Sequence, residues 1–164
     1  MICFCKSKET LSRLLPDEYP NKIYILNDKP EILDSEWVLW VGEVILQPDM
    51  VNRLKKDLRT HLDAGLVSGL DKSTMDYVVD DIYNPTKLNP VEEKDLIKAD
   101  VIPRDLFICK GRVFKELDLG EKFFGLSVRK LGYQNYIDKG VLIEKENKNA
   151  KDNNVKGASC QREI

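Results

Sequence analysis

An acidic residue placed directly after an apolar segment can hold a cation, contact a polar ligand or accept a proton. Glu43 lies in the apolar run 40–45 (WVGEVI), where a charge is costly unless it reaches water, a partner or a metal. Gly42 before it permits close approach of a ligand or of another backbone segment. The same position also suits the first residue of the loop after a strand, so both interpretations stay open.

Two further carboxylates have similar settings. Asp28 ends the apolar run 22–26, and it could contact a ligand or cap its own turn. Glu121 follows Gly120 and opens an apolar segment, where it could act as a general base or favour the first turn of a helix. The adjacent pair Asp80 and Asp81 is a weaker candidate for binding a cation, and a solvated turn explains it better.

Several other kinds of chemistry are excluded or disfavoured. The chain has neither a G-x-x-x-x-G-K-[ST] nor a G-x-G-x-x-G motif, so two common nucleotide-binding loops are absent. His61 is the only histidine, and its place beside a helical apolar stripe predicts an ordinary surface or boundary residue. The four cysteines are too few for a disulfide scaffold and lack zinc-ligand spacing, which favours free thiols in the cytoplasm.

Length and charge narrow the class of protein further. The 164 residues predict one domain with a core large enough to need no metal or disulfide. With 26 Lys and Arg against 28 Asp and Glu, the formal net charge is −2, so no general field attracts nucleic acid. The longest apolar run, 37–41, falls far short of the roughly 20 residues that span a bilayer.

Short apolar runs alternate with amphipathic segments, and this alternation predicts an α/β fold with a mostly parallel sheet flanked by helices. The expected strands are 2–5, 22–27, 37–42, 66–69 and 104–109, and the expected main helices are 49–63 and 121–131. Smaller elements are a helix capped by Ser7, a helix over 112–117, and closing strands at 136–137 and 141–143 around a turn at 138–140. Residues 145–164 are polar and predict a disordered tail.

In such sheets a ligand binds beyond the carboxyl ends of the strands, at the point where the strand order reverses. The chain segments to consider there are 6–7, 27–28, 42–43 and 120–121.

The order of these segments resembles that of inverting family-2 glycosyltransferases. The segment 37–49 (WVLWVGEVILQPD) is similar to the part of that family that holds its Asp-x-Asp motif. Further matches are 65–70 (GLVSGL), 99–103 with 110–114 (ADVIP and KGRVF), and 119–133 (LGEKFFGLSVRKLGY), which is similar to the family's Glu-Asp segment and Arg-x-x-Gly-Tyr ending. The resemblance covers about residues 2 to 144, and it rests on the order of five motifs.

The resemblance implies a GT-A-like, Rossmann-like domain over 1–144 that moves a sugar from a nucleotide-diphosphate donor to an unknown acceptor with inversion. It places Ser7, Asp28, Gly42 and Glu43 at the donor, with Glu43 as the contact to a divalent cation (Mn²⁺ or Mg²⁺). It assigns the role of catalytic base to Glu121.

The chain departs from the family at several places. It keeps only the last acid of Asp-x-Asp, as Glu43, and Lys145 or Glu146 stands near the place of a histidine that often follows the closing strand. Where the family has Glu-Asp the chain reads Gly120-Glu121-Lys122, and the link from Asp28 to Trp37 omits elements usually found there. An enzyme that depends weakly on metal, a metal-independent enzyme, and an inactive module that binds the same ligands all remain open. A generic α/β nucleotide-binding domain is a further interpretation, which does not depend on the resemblance to this family.

Overall fold

The computed structural model describes residues 1–74, 77–78, 86–87 and 95–146. The strands in these ranges are β1 (Ile2–Cys5), β2 (Lys22–Ile25), β3 (Trp37–Val41), β4 (Val44–Ile45), β5 (Ala64–Asp71), β6 (Tyr77–Val78), β7 (Thr86–Lys87), β8 (Leu96–Lys98), β9 (Leu106–Lys110) and β10 (Gln134–Lys145). The α-helices are α1 (Met50–Thr60), α2 (Gly111–Phe114) and α3 (Leu126–Lys130). Short 3₁₀ turns cover Lys8–Leu11, Pro16–Glu18 and Lys72–Thr74.

The main sheet has the order β2-β1-β3-β9-β5-β10-β4, with β8 also paired to β10, and β6 and β7 form a separate pair. The pairs β1–β2, β1–β3 and β5–β10 are parallel, whereas β9 runs antiparallel to both β3 and β5. Strands β4 and β8 are also antiparallel to β10. The α/β class is confirmed, but the prediction of a mostly parallel sheet was wrong, because the sheet is mixed.

The direction of β9 has a physical reason. A parallel strand must be reached by a crossover that carries the chain back to the opposite edge of the sheet, usually through a helix. The described residues between β5 and β9 contain no such crossover helix, and β9 starts at the edge where β5 ends. Leu106 therefore lies opposite Val41, the last residue of β3.

Successive side chains of each strand point to opposite faces of the sheet, and both faces are buried. On one face, β-strand side chains such as Cys3, Leu39 and Ile108 pack against Val51 and Leu54 of α1. The opposite face carries Phe4, Val38, Leu66 and Phe107, which pack with residues of α2, α3 and the segment before α3. Helices therefore cover both faces, and the strands β1, β3 and β9 are nearly continuous apolar runs.

A buried carboxylate fixes the start of α1. Glu18 is fully buried, and its two carboxylate oxygens accept N–H bonds from Leu15 (2.9 Å), Asp49 (3.0 Å) and Asn52 (2.9 Å). These bonds satisfy amide groups at the helix start that have no partner within the helix. The helix ends at Thr60 and not at residue 63, and Leu62, expected on the buried stripe, is 79% exposed.

The helix predicted over 121–131 is shorter, because its first half forms turns. The Asp118 carboxylate accepts the Gly120 N–H (3.0 Å), and the Asp118 carbonyl accepts the Glu121 N–H (3.1 Å). Such local bonds compete with the helical pattern, and α3 starts only at Leu126. Leu131, expected to face inward, is 52% exposed, whereas Gly132 has φ of +96° and ends the helix as predicted.

The two expected closing strands form one long strand, β10, with an irregularity in the middle. Its register on β5 shifts between Asp138 and Leu142, where a turn was predicted. Asp138 is buried there and accepts two bonds from Arg53 of α1 (3.0 and 2.9 Å) and one from the Gly140 N–H (2.8 Å). The bulge therefore supplies a buried ion pair that holds α1 to the sheet.

β10 reaches Lys145, one residue into the range expected to be a tail, and residues 147–164 lie outside the described part of the chain. Across the described ranges, no helix combines the length and the apolar character that crossing a bilayer requires.

Candidate functional site

A cleft of about 740 Å³ opens where β1 and β2 end. Its floor consists of aromatic rings: the Phe4 ring centre lies 5.1 Å from that of Phe114 and 5.6 Å from that of Trp40. Its walls are the segment 26–30 after β2 and the segment 115–119 after α2. The volume falls in the range of about 300–1,000 Å³ that is typical of small-molecule sites.

The topology explains why the cleft forms there. Strand β1 lies between β2 and β3, and all three run parallel. The chain passes from β1 to β2 on one side, and then from β2 past β1 to β3 on the other side, so its connections diverge at the carboxyl ends of these strands. This divergence is the switch point at which open α/β sheets bind ligands.

Asp28 is the one predicted site residue that lines this cleft among the described residues. It is exposed, and its Oδ2 atom accepts the N–H of Ile25 (3.1 Å) at the end of β2. The turn-capping alternative is therefore confirmed, and it coexists with a place on the wall of the cleft. The bond to the backbone also holds the carboxylate in a defined orientation.

Ser7 follows β1 at the same edge of the sheet but does not belong to the described cleft lining. It occupies the cap position of the turn Lys8–Leu11, which is a 3₁₀ turn and not the predicted helix. Its carbonyl accepts the Thr10 N–H (3.2 Å), but its hydroxyl makes no capping bond. The prediction that its side chain caps a helix was therefore wrong.

Gly42 and Glu43 form the short link between β3 and β4, which confirms that Glu43 opens the loop after a strand. Asp105 holds this link through two bonds, from the Gly42 N–H to its carbonyl (2.7 Å) and from the Glu43 N–H to its Oδ1 atom (3.3 Å). A Cβ atom on Gly42 would lie 2.8 Å from that Oδ1 atom. Gly42 is therefore required for the approach of Asp105.

Glu121 is connected to the start of β9 by Arg104, the residue before Asp105. The guanidinium of Arg104 donates to the carbonyl oxygen of Glu121 and lies 5.5 Å from the Phe124 ring centre. Glu121 is exposed, and it comes two residues after Leu119 on the cleft wall. Its side chain is not part of the described cleft lining.

Lys145 joins two aspartates at this edge that the sequence reasoning did not single out. Its Nζ atom lies 3.3 Å from Oδ2 of Asp71 and 3.5 Å from Oδ2 of Asp105. Burial alone would raise the pKa of Asp71, but the bonds from Ser73 and the charge of Lys145 outweigh it and lower that pKa. Asp71 could have been found, because it directly follows the apolar run 66–70, as Glu43 follows its own.

These residues do not fit the divalent cation that the resemblance implies. Mg²⁺ and Mn²⁺ prefer several oxygen ligands, and Glu43 is the only acid kept from the Asp-x-Asp pattern. The nearby Asp71 and Asp105 carboxylates each have one oxygen within 3.5 Å of the Lys145 ammonium. In the ranges 1–74 and 95–146, no three acidic, histidine or cysteine side chains are grouped so as to hold a metal.

The remaining candidates Asp80 and Asp81 lie outside the described residues. In comparisons with known proteins, no family model and no curated sequence matches this chain. The candidate site therefore rests on its own geometry, which consists of an aromatic cleft with Asp28 on its wall and a neighbouring edge where Glu43, Glu121 and Lys145 lie on connected segments.

Proposed function

We propose that this protein is a glycosyltransferase that moves a sugar from a nucleoside-diphosphate donor to an acceptor hydroxyl with inversion. The observation that carries this proposal is the cleft at the switch point beside β1, which has an aromatic floor and Asp28 on its wall. In the reaction the bond between the sugar's anomeric carbon and the diphosphate oxygen breaks. The acceptor oxygen forms the new bond, and its proton passes to a base.

The cleft suits the nucleoside half of such a donor. The Trp40 and Phe114 rings, which pack on the buried Phe4 ring, offer an apolar floor on which a planar base can pack. Asp28 is exposed on the wall, and its carboxylate can accept a hydrogen bond from a ribose hydroxyl or a base N–H. The diphosphate would then extend along the carboxyl edge of the sheet toward the Gly42–Glu43 link.

Glu121 is the proposed base. Its backbone is held by Arg104 and by the Asp118 turn, two residues after Leu119 on the cleft wall. A general base must come within about 2.6–3.2 Å of the attacking hydroxyl in the productive complex. The exposure of Glu121 leaves that side open for an acceptor.

A second candidate is a binding module that keeps the cleft without turnover. The observation that favours it is the pairing of Asp71 and Asp105 with Lys145, which leaves the family's metal-assisted departure of the diphosphate without support. Both candidates are placed in the cytoplasm, since Cys3, Cys5 and Cys109 are free thiols.

Calorimetric titration with ADP, GDP, UDP, CDP and dTDP tests the cleft. At least one should bind, and Asp28→Ala should weaken it by roughly tenfold, the loss of one charge-assisted hydrogen bond. Asp17→Ala is the matched control, because Asp17 is exposed and bonds Asn52 of α1 on the opposite face (3.1 Å). The absence of binding for all five would contradict both candidates.

Incubation with the corresponding nucleotide sugars then separates the two candidates. An enzyme should release nucleoside diphosphate by transfer or slow donor hydrolysis, whereas a binding module should bind the donor without cleaving it.

A further inference from the structure

We propose that the ammonium group of Lys145 takes the place of a divalent cation at this edge of the sheet, so that the nucleoside diphosphate binds without metal. This inference rests on the proposed function for the identity of its ligand. The arrangement that carries it belongs to four residues of the chain: Glu43, Asp71, Asp105 and Lys145.

The two aspartates present one oxygen each to the same nitrogen. Oδ1 of Asp71 accepts the Ser73 N–H (2.9 Å) and hydroxyl (2.7 Å), while its Oδ2 lies 3.3 Å from Nζ of Lys145. Oδ1 of Asp105 accepts the Glu43 N–H (3.3 Å), while its Oδ2 lies 3.5 Å from the same Nζ. One positive charge therefore joins two fixed carboxylates, as a bound cation would.

Lys145 has capacity for a further ligand. An ammonium carries three N–H donors, of which Asp71 and Asp105 can use two. The lysine side chain is 52% exposed, whereas those of Asp71 and Asp105 are 12% and 26% exposed. A diphosphate oxygen that approaches from solvent can therefore meet the third donor without displacing either aspartate.

Lys145 lies at the carboxyl edge of the sheet, beside the Gly42–Glu43 link toward which the diphosphate is proposed to extend. Lys145 ends β10 opposite Val44, the residue after Glu43. Asp105 touches both Lys145 and the Gly42–Glu43 link, so the ammonium lies one side chain away from that link. Partial burial would lower the pKa of Lys145, but the two carboxylates outweigh it and raise that pKa, which keeps the group charged.

The experiment measures nucleoside diphosphate binding by calorimetry, for the diphosphate that binds best, in EDTA and in excess Mn²⁺. Wild-type protein should bind equally well in both. Lys145→Ala should bind about 10–100-fold more weakly in EDTA, because it loses a charge-assisted hydrogen bond. Mn²⁺ should restore a large part of that loss, since the Asp71 and Asp105 carboxylates lose the Lys145 ammonium and can contact the ion in its place.

Two further variants serve as controls. Lys145→Arg keeps the charge, and its binding should remain insensitive to EDTA. Lys130→Ala removes an exposed lysine at the end of α3 and should behave as wild type. Circular dichroism checks that each variant is folded, and Lys145→Arg keeps the inference testable if Lys145→Ala does not fold.

The outcomes separate the inference from the proposed function. Wild-type binding that requires Mn²⁺ overturns the inference and leaves the proposed function standing. EDTA-insensitive binding that is unchanged in Lys145→Ala also overturns it. If wild type binds no nucleoside diphosphate in EDTA or in Mn²⁺, the proposed function is wrong and the inference falls with it.

Discussion

Asp57 of α1 makes a contribution to the stability of this protein that decreases as the pH rises from acid to neutral. Its Oδ2 atom is buried without a hydrogen-bond partner among the described residues. Burial, followed by a hydrogen bond to Asp138 and the charge of Asp138, raises the pKa of Asp57 to about 8, against the opposing charges of Arg53 and Lys56. The folded protein therefore keeps a proton on Asp57 that the unfolded chain loses near pH 4.

The sign and size follow from proton linkage. Between the unfolded pKa of 3.8 and the folded value of about 8, the folded state binds one more proton, so the free energy of unfolding decreases as pH rises. The slope is at most about 1.4 kcal/mol per pH unit. From pH 5 to 7 the loss attributable to Asp57 is about 1–3 kcal/mol, where the lower figure allows for partial solvent screening.

Asp57→Asn removes this dependence while keeping the shape of the side chain. The amide is neutral at every pH and can donate to Asp138, whose ionised form Arg53 already holds. Urea unfolding at pH 5, 6 and 7 should give free energies for Asp57→Asn that change less with pH than those of wild type. Taking the difference between the two proteins cancels the contributions of the other titrating groups that do not interact with Asp57.

The difference in unfolding free energy should grow in favour of Asp57→Asn by about 1–3 kcal/mol over this range. Glu9→Gln, on an exposed acid far from α1 in sequence, should leave the wild-type slope unchanged. Parallel curves for wild type and Asp57→Asn would refute a protonated Asp57 in the folded protein.

Three other substitutions probe the site and its support. Glu18→Ala should lower the free energy of unfolding by roughly 3 kcal/mol, because three partly buried N–H groups lose a buried acceptor. A loss below about 1 kcal/mol in urea unfolding would contradict this. Gly42→Ala should lower the free energy of unfolding by about 1–3 kcal/mol in the same assay, because its Cβ atom would lie 2.8 Å from Oδ1 of Asp105. An unchanged urea midpoint would contradict that close approach. Glu121→Gln should lower turnover by ~10²–10⁴-fold with donor binding unchanged, and retained turnover would place the base elsewhere.

The strands and the buried faces could be predicted from sequence because they depend on local patterns. In β1, β3 and β9 the apolar residues are nearly continuous, and each forms a strand within two residues of its expected bounds. The length of the helix around Phe124 was overestimated, because the spacing of apolar residues does not reveal that Asp118 closes a competing turn. The direction of β9 depends on how the chain returns to the sheet, which no local pattern encodes.

Some residues of the candidate site could likewise be predicted from the sequence, and others could not. Asp28 and Glu43 could be found because each follows an apolar strand, and strand ends are visible in the sequence. The pairing of Lys145 with Asp71 and Asp105 joins residues 74 and 40 positions apart, and only the folded sheet brings them together. The loss of one acid from Asp-x-Asp is visible in the sequence, whereas the pairing of Asp71 and Asp105 with Lys145 is visible only in the structure.

The dipeptide Arg104–Asp105 contacts the backbone of both acids on which the proposed chemistry depends, Glu43 and Glu121. Asp105 binds the backbone on both sides of the Gly42–Glu43 peptide, and Arg104 binds the carbonyl of Glu121. Because β9 enters antiparallel, its first residues lie at the carboxyl end of β3 and beside the cleft wall. The antiparallel direction of β9, which the sequence did not predict, therefore places Arg104 and Asp105 where they contact the segments of Glu121 and Glu43. A shift of Arg104 and Asp105 would move both acids together. A substitution at Arg104 should therefore impair both turnover and donor binding, whereas a substitution at Glu121 should impair turnover and leave donor binding unchanged.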